Sequence, residues 1–196
     1  MKRLPIVVSL LLAGCSLPVS RPPADVTHTL ALRAPVAVPP PLPAARTLQL
    51  AAVTAAPGYT SPAMAYRRSA HELRYFAHQR WVDRPARLVE QALADGLAAA
   101  GAGLVGAGSG VRPDYRLLTD LVQLEQDFTA QPSRVRLVLR VQLVDVRARR
   151  LLGSDTLRLE QAAASDDAAG GVVAANALLE RAVGEVAAFC RRTAGG

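Results

Sequence analysis

The sequence predicts an α+β fold: a two-layer sandwich whose largely antiparallel sheet carries two amphipathic helices on one face. Three patterns lead there. In Arg134 to Val146, the residues Val135, Leu137, Leu139, Val141 and Leu143 alternate with Arg134, Arg136, Arg140 and Gln142. That period of two marks a half-buried strand with an arginine-rich outer face. Two other segments place apolar residues at three- and four-residue intervals, as a helical stripe does. One runs Val89, Ala92, Leu93, Gly96, Leu97, Ala100, and the other Val172, Ala175, Leu179, Val183, Val186, Cys190. Finally, the residues Thr129 to Ser133 join Tyr115–Phe128 to Arg134–Val146 with a length that suits a hairpin.

Taken in order, the elements begin with an address. Met1-Lys2-Arg3 is basic, and the apolar run Leu4 to Leu12 is far short of the roughly 20 residues a membrane span needs. Residues 1–14 therefore read as a secretory signal peptide. The run ends in Leu12-Ala13-Gly14-Cys15, which resembles the bacterial lipobox. That resemblance implies a diacylglyceryl thioether on Cys15, cleavage before it, and N-acylation. An ordinary signal peptide with an incidental cysteine is the alternative. Two or three acyl chains, at about 0.8 kcal/mol per buried CH₂, would anchor the chain firmly. Ser16 stands where an aspartate would favour retention at the inner membrane, so the outer membrane is the expected destination. Removing Lys2 and Arg3 with the signal lowers the net charge from +7 to +5.

Residues 15–46 form an expected tether. Eight of the 14 prolines lie between residues 16 and 46, including Pro22-Pro23 and Pro39-Pro40-Pro41. Such composition favours extended chain at about 3.1 Å per residue. Thr27 to Leu32 has the makings of a short first strand, and Arg33 to Arg46 reads as a loop.

The remainder, 47–196, reads as one domain. Thr47 to Thr54 is an expected strand ended by Pro57-Gly58. Met64 to Arg68 and Glu72 to Phe76 are short and extended. A helix starts at Pro85, where proline suits the first turn, and the glycines from 101 to 110 end it. After the central strand pair, Asp155 to Gln161 gives a further strand. Ser165, Asp166 and Asp167 offer an N-cap and an acidic first turn for a last helix reaching Arg192.

Catalytic motifs fail on context. Gly101-Ala102-Gly103-Leu104-Val105-Gly106 satisfies G-x-G-x-x-G, but a helix precedes it and Gly108, Gly110 and Pro113 forbid one after it. A dinucleotide site needs the reverse order. His28, His71 and His78 lack metal-ligand spacing, and in His71-Glu72 the second ligand position of H-E-x-x-H is held by Tyr75. Ser109 lies outside any G-x-S-x-G elbow. The expectation is a protein without catalytic residues, metal or cofactor.

Two surfaces are candidates for binding. Arg134, Arg136 and Arg140 share one strand face, with Arg147, Arg149 and Arg150 at its turn. This face either binds an anion, such as a phospholipid headgroup, or is neutralised by Asp120, Glu125 and Asp127 of the neighbouring strand. Export makes nucleic acid a poor partner. The second surface is aromatic. Tyr59, Tyr66, Tyr75, Phe76 and Trp81 are five of the eight aromatics, packed into 23 residues with Arg80 among them. They read equally as core or as a partner-binding interface, where Tyr, Trp and Arg concentrate.

At these residues the chain resembles the ABC-type transport auxiliary lipoproteins, the group that includes the paraquat-inducible protein C type and the cholesterol-transport auxiliary components. The likeness lies in the lipobox, Ala56-Pro57-Gly58-Tyr59, Met64-Ala65-Tyr66, Leu73-Arg74-Tyr75-Phe76-Ala77 and Trp81. It continues in Asp114-Tyr115-Arg116-Leu117, Pro132-Ser133-Arg134-Val135-Arg136-Leu137, Leu143-Val144-Asp145 and Ala174-Ala175-Asn176-Ala177. The loop Arg33 to Arg46 departs from the pattern. The resemblance implies a non-enzymatic lipoprotein, anchored at the periplasmic face of the outer membrane of a Gram-negative bacterium. It also implies a role as auxiliary to an ABC system whose MCE-domain substrate-binding protein moves lipid between membranes. A homo-oligomer is compatible with it. A pilot lipoprotein for an outer-membrane complex is the competing class, and a lipid carrier, which needs an enclosed apolar cavity, ranks below both.

Overall fold

The computed structural model describes residues 24–34 and 37–195; Cys15 and the signal segment lie outside them. Nine strands and two helices follow in the order β1 (Val26–His28), β2 (Thr47–Leu50), β3 (Thr54–Ala55), β4 (Ala63–Arg67), β5 (Arg74–Trp81), α1 (Pro85–Ala99), β6 (Gly103–Leu104), β7 (Tyr115–Asp127), β8 (Arg134–Asp145), β9 (Arg150–Ala162) and α2 (Ala168–Ala194). A single 3₁₀ turn, Pro57–Tyr59, lies between β3 and β4.

The expected α+β architecture is present, with a mixed sheet that does not close. β7, β8 and β9 form a long antiparallel meander. Along its other edge β7 takes three partners in succession, all parallel: β2 (Leu48 opposite Tyr115), β3 (Thr54 opposite Asp120) and β4 (Ala65 opposite Glu125). β6 extends the sheet beyond β2, while β5 pairs antiparallel with β4 and carries β1 in parallel. The long ladders are thus antiparallel, and the short ones are parallel except for β4–β5.

Alternation along β8 holds as expected. Leu137, Leu139, Val141 and Leu143 are at most 1% exposed. They face the helices, and each contributes about 1.5–3 kcal/mol by leaving water. α2 covers β8 and β9, and α1 lies beside it. The α2 residues Ala174, Ala175, Ala182 and Ala187 are buried, and such small side chains let the helix sit close to the strands. Where the helices meet, a Cβ on Gly96 would stand 2.4 Å from Val183 Cγ1. The stripes of both helices, Val89, Leu93 and Leu97 on one and Leu179, Val183 and Val186 on the other, are buried.

Several expectations change in detail. The Thr47–Thr54 strand is two strands, broken at Ala51–Val53, where the Val53 N–H turns away from β7 and donates to Glu90 Oε2 of α1 at 2.9 Å. β5 runs on to Trp81, and β9 begins at Arg150 rather than Asp155. A register shift opposite Leu143 and Val144 interrupts the alternation of β9, and Gly153 there passes under Thr193 of α2. The acids before α2 do not enter its first turn. Asp167 is the N-cap and accepts the Gly170 N–H at 2.8 Å, while Asp166 accepts the Ser133 N–H at 2.6 Å.

The first strand stops at His28, short of the expected Leu32, because the chain leaves the sheet to cross the helices. Asn176 of α2 fixes the crossing: its Oδ1 accepts the Ala31 N–H at 2.8 Å, and its Nδ2 donates to the Thr29 carbonyl at 3.3 Å. Leu30 and Leu42 are buried on the way to β2. The described part of the proline-rich segment, residues 29–34 and 37–46, is therefore a strap over the helical layer, not a free loop.

Two predictions follow from this packing. Gly96→Val should force α1 from α2, cost about 1–3 kcal/mol and lower the thermal midpoint by several degrees. Cys190 is 0% exposed, and burial pushes its thiol up to about 12. It should resist a thiol reagent in the native protein and react at once in denaturant; equal rates would put it on the surface.

Candidate functional site

The aromatic segment divides between core and surface. Tyr59 and Trp81 are 9% and 4% exposed, so at these two positions the expectation of a partner surface gives way to core packing. Tyr59 is held by the 3₁₀ turn and donates its hydroxyl to Glu125 Oε2 at 2.6 Å. Burial first, and the Glu125 carboxylate next, hold its phenol well above the usual value. Glu125 itself is ion-paired with Arg67 and accepts Gln123 Nε2 at 2.9 Å.

The half-buried part is built by β4, β5 and the end of β7. Tyr66 and Phe76 sit on neighbouring strands with ring centroids 4.7 Å apart. Phe128 closes the group at 5.8 Å from Tyr66 and 6.2 Å from Phe76, both edge-on. The Arg68 guanidinium lies 5.9 Å from the Tyr66 ring and 5.6 Å from that of Phe128, a cation–π distance. Tyr75 is 44% exposed and donates to the Gly58 carbonyl at 3.0 Å. Arg80 is exposed on β5, away from the cluster's centre. Phe128 was not singled out from sequence. Phe128 joins the group because its N–H donates to the Arg67 carbonyl at 3.0 Å, a parallel β4–β7 contact between distant segments.

The arginine face is largely neutralised at one end. Arg136 lies 2.8 Å from Asp127 and 3.0 Å from Glu160, and Arg134 is 2.7 Å from Glu160. Of the acids expected to compensate this face, Asp127 does so. Glu125 pairs with Arg67 instead, and Asp120 accepts the Thr54 hydroxyl. Glu160 of β9, opposite Arg136 in register, is the partner that sequence did not single out. Arg140 makes no ion pair among the described residues. Arg134 and Arg136 hold the Glu160 carboxyl below its usual value. Burial alone would raise Asp127, but Thr129 hydrogen bonds, Arg136 and Arg67 outweigh it and its value falls.

The G-x-G-x-x-G sequence runs from the end of α1 into β6, the reverse of a nucleotide-binding turn. Gly101 adopts φ 83° there and stops the helix.

A family model described as "ABC-type transport auxiliary lipoprotein component" matches residues 28–187. The chain belongs to this family. Among solved structures, protein XCC0632 from Xanthomonas campestris shares the fold at TM-score 0.74 and 20% identity, over 87% of this chain and 97% of that one. An uncharacterized protein superposes at TM-score 0.65 and 14% identity, covering 87% and 98%. The hypothetical protein CT253 from Chlamydia trachomatis does so at TM-score 0.53 and 11% identity, covering 76% and 97%. No curated protein gives a match. Identities this low establish a shared fold and nothing finer.

Removing Glu125 by Glu125→Ala should leave Arg67 and Tyr59 without their buried partner and cost about 3–5 kcal/mol, whereas Tyr59→Phe should cost about 1–2 kcal/mol. Denaturant melts distinguish the two. Asp127 and Glu160 also set a pH dependence. A carboxyl with a lowered folded pKa stabilises the fold above its unfolded value, here 3.8 and 4.5, and that contribution is lost as pH falls through the folded value. Asp127→Asn with Glu160→Gln should therefore flatten the acid limb of the stability profile below about pH 4.5 and leave its alkaline limb unchanged.

Proposed function

We propose that the chain is a non-catalytic lipoprotein, anchored through acylated Cys15 at the periplasmic face of the outer membrane, where it docks the MCE-domain substrate-binding protein of an ABC lipid-transport system. The family assignment supports the transport role, and the lipobox residues support the anchor. No helix among the described residues is long and apolar enough to cross a membrane, so attachment falls to the lipid.

The observation that carries docking is the half-buried ring cluster Tyr66, Phe76 and Phe128 beneath Arg68. Rigid rings joined to a guanidinium make large contact area at small entropic cost, the composition of binding hot spots. Direct carriage of lipid is a weaker reading. The cavity between sheet and α2, bounded by Met64, Trp81, Leu124, Val135 and Ala175, is about 10 Å³. That volume holds at most one water molecule, and the larger hollow of about 410 Å³ between Leu30, Leu32 and α1 is an open groove, not an enclosed cavity.

Two measurements test this reading. Cys15→Ala should leave the membrane fraction and take up no acyl label; continued acylation of that variant would refute the anchor. Tyr66→Ala or Arg68→Glu should weaken capture of the MCE protein about tenfold or more while the midpoint stays within a few degrees of the parent. Trp81→Ala, by contrast, should lose about 3–5 kcal/mol of stability. Unchanged capture by both surface variants would remove the docking role from this cluster.

A further inference from the structure

The end of the sheet where β7 starts and β8 finishes gathers arginines that the docking role does not use. Arg46 precedes β2, Arg112 and Arg116 bracket the start of β7, and Arg147, Arg149 and Arg150 form the β8–β9 turn. Contacts bring them together. Arg46 and Arg147 lie 3.1 and 3.0 Å from Asp114, Arg112 donates to the Val146 carbonyl at 3.4 Å, and Arg116 donates to Gln49 Oε1 at 2.8 Å. The acids present are Asp114 and Asp145. Asp114 is 6% exposed and already holds two arginines with the Thr47 N–H and hydroxyl. Asp145 accepts the Ala148 N–H at 2.8 Å. Among the described residues, Arg112, Arg116, Arg149 and Arg150 meet no carboxylate at ion-pair distance.

Two further observations belong to the same end. Val111 and Leu151 are 57% and 53% exposed beside these cations. Leu151 lies in one outer-face row with Gln49, Arg116 and Val144 across four strands. Arg149 sits at φ 53°, the left-handed region that favours glycine or asparagine. The turn thus keeps an exposed guanidinium at a position that disfavours it.

We infer that this end of the sheet seats on an anionic phospholipid bilayer, its unpaired arginines on headgroup phosphates and Val111 and Leu151 in the interfacial layer. Arginine favours phosphate by its planar fork of donors, and basic groups near an anionic surface add their attractions. The geometry rests on the lipid-anchor reading. β1 enters level with the region of β7 near Gln123, about 26 Å along the strand from Tyr115 at about 3.3 Å per residue. The chain from Cys15 to Asp25, if extended at about 3.1 Å per residue, would span at most about 31 Å. An anchored tether therefore lets this end touch the bilayer, which is why a lipid surface fits better than an acidic protein.

The test uses the chain from Ser16 onward, which contains every described residue but no anchor, so that its outcome is independent of acylation. Co-sedimentation is compared on vesicles of phosphatidylcholine alone and of phosphatidylcholine with phosphatidylglycerol. Binding is expected only with phosphatidylglycerol and should decline as added salt screens the charges. Arg149→Glu with Arg150→Glu, and separately Arg112→Glu, should each weaken it about tenfold or more. Arg84→Glu with Arg87→Glu makes the same charge change as the first pair on exposed positions of α1 and its cap, and should have little effect. Binding to both vesicle types alike, no binding to either, or equal loss in the α1 pair would overturn the inference. Failure of the Cys15→Ala fractionation test would instead count against the anchor.

Discussion

The structure depends on β7 being hydrogen-bonded along both edges. All of its 13 residues but the bulged Val122 pair with β8 on one side, and on the other it pairs with β2, β3 and β4 in turn. A strand shared in this way must satisfy a backbone group at almost every position, because a buried N–H or C=O without a partner costs free energy comparable to a lost hydrogen bond. The three short parallel strands cannot stand as a sheet of their own. Each is held by the segment of β7 it faces and by the side chains beneath. The break between β2 and β3 is tolerated because Glu90 of α1 takes the Val53 N–H that turns away.

That arrangement also explains the polar cluster at the far end of β7. Glu125 faces the outer side of the sheet but is covered by the 3₁₀ turn carrying Tyr59, so its charge is removed from water and must be met by Arg67, Tyr59 and Gln123. Breaking a pair of this kind is costly even where the intact pair adds little net stability. Next to it Asp127, Arg136, Glu160 and Arg134 form a line of alternating charge across β7, β8 and β9. The outer face is thus compensated at the Glu125 end and basic at the other. One end couples the ring cluster to a rigid strand, and the other leaves cations free to meet an anionic surface.

The helical layer is set by small residues and by the strap. Gly96 is the point at which α1 passes Val183, and any larger side chain would separate the helices. The strap then covers the seam, with Leu30 and Leu42 buried and Asn176 bonding its backbone twice. Those bonds satisfy main-chain groups that leave the sheet at His28. Residues 29–31 are in this way locked to the core before β2 begins.

The sequence by itself determined whatever depends on periodicity or local stereochemistry. The alternation in 134–146, the two helical stripes, the proline that begins α1 and the Asp167 cap of α2 each state a local preference that the fold satisfies. The family likeness was likewise carried by motifs in their order along the chain. Tertiary structure decided what depends on pairing between distant segments. The parallel placement of β2, β3 and β4 on one edge of β7 leaves no local signature, since a short parallel and a short antiparallel strand share the same pattern. Tyr59 and Trp81 could not be separated from Tyr66 and Phe76 by composition, because aromatic residues serve core and interface alike; only the turn over Glu125 and the parallel approach of Phe128 sort them. The arginines divide for the same reason, since Glu160 neutralises Arg134 and Arg136 through a register that the strands acquire only when they meet.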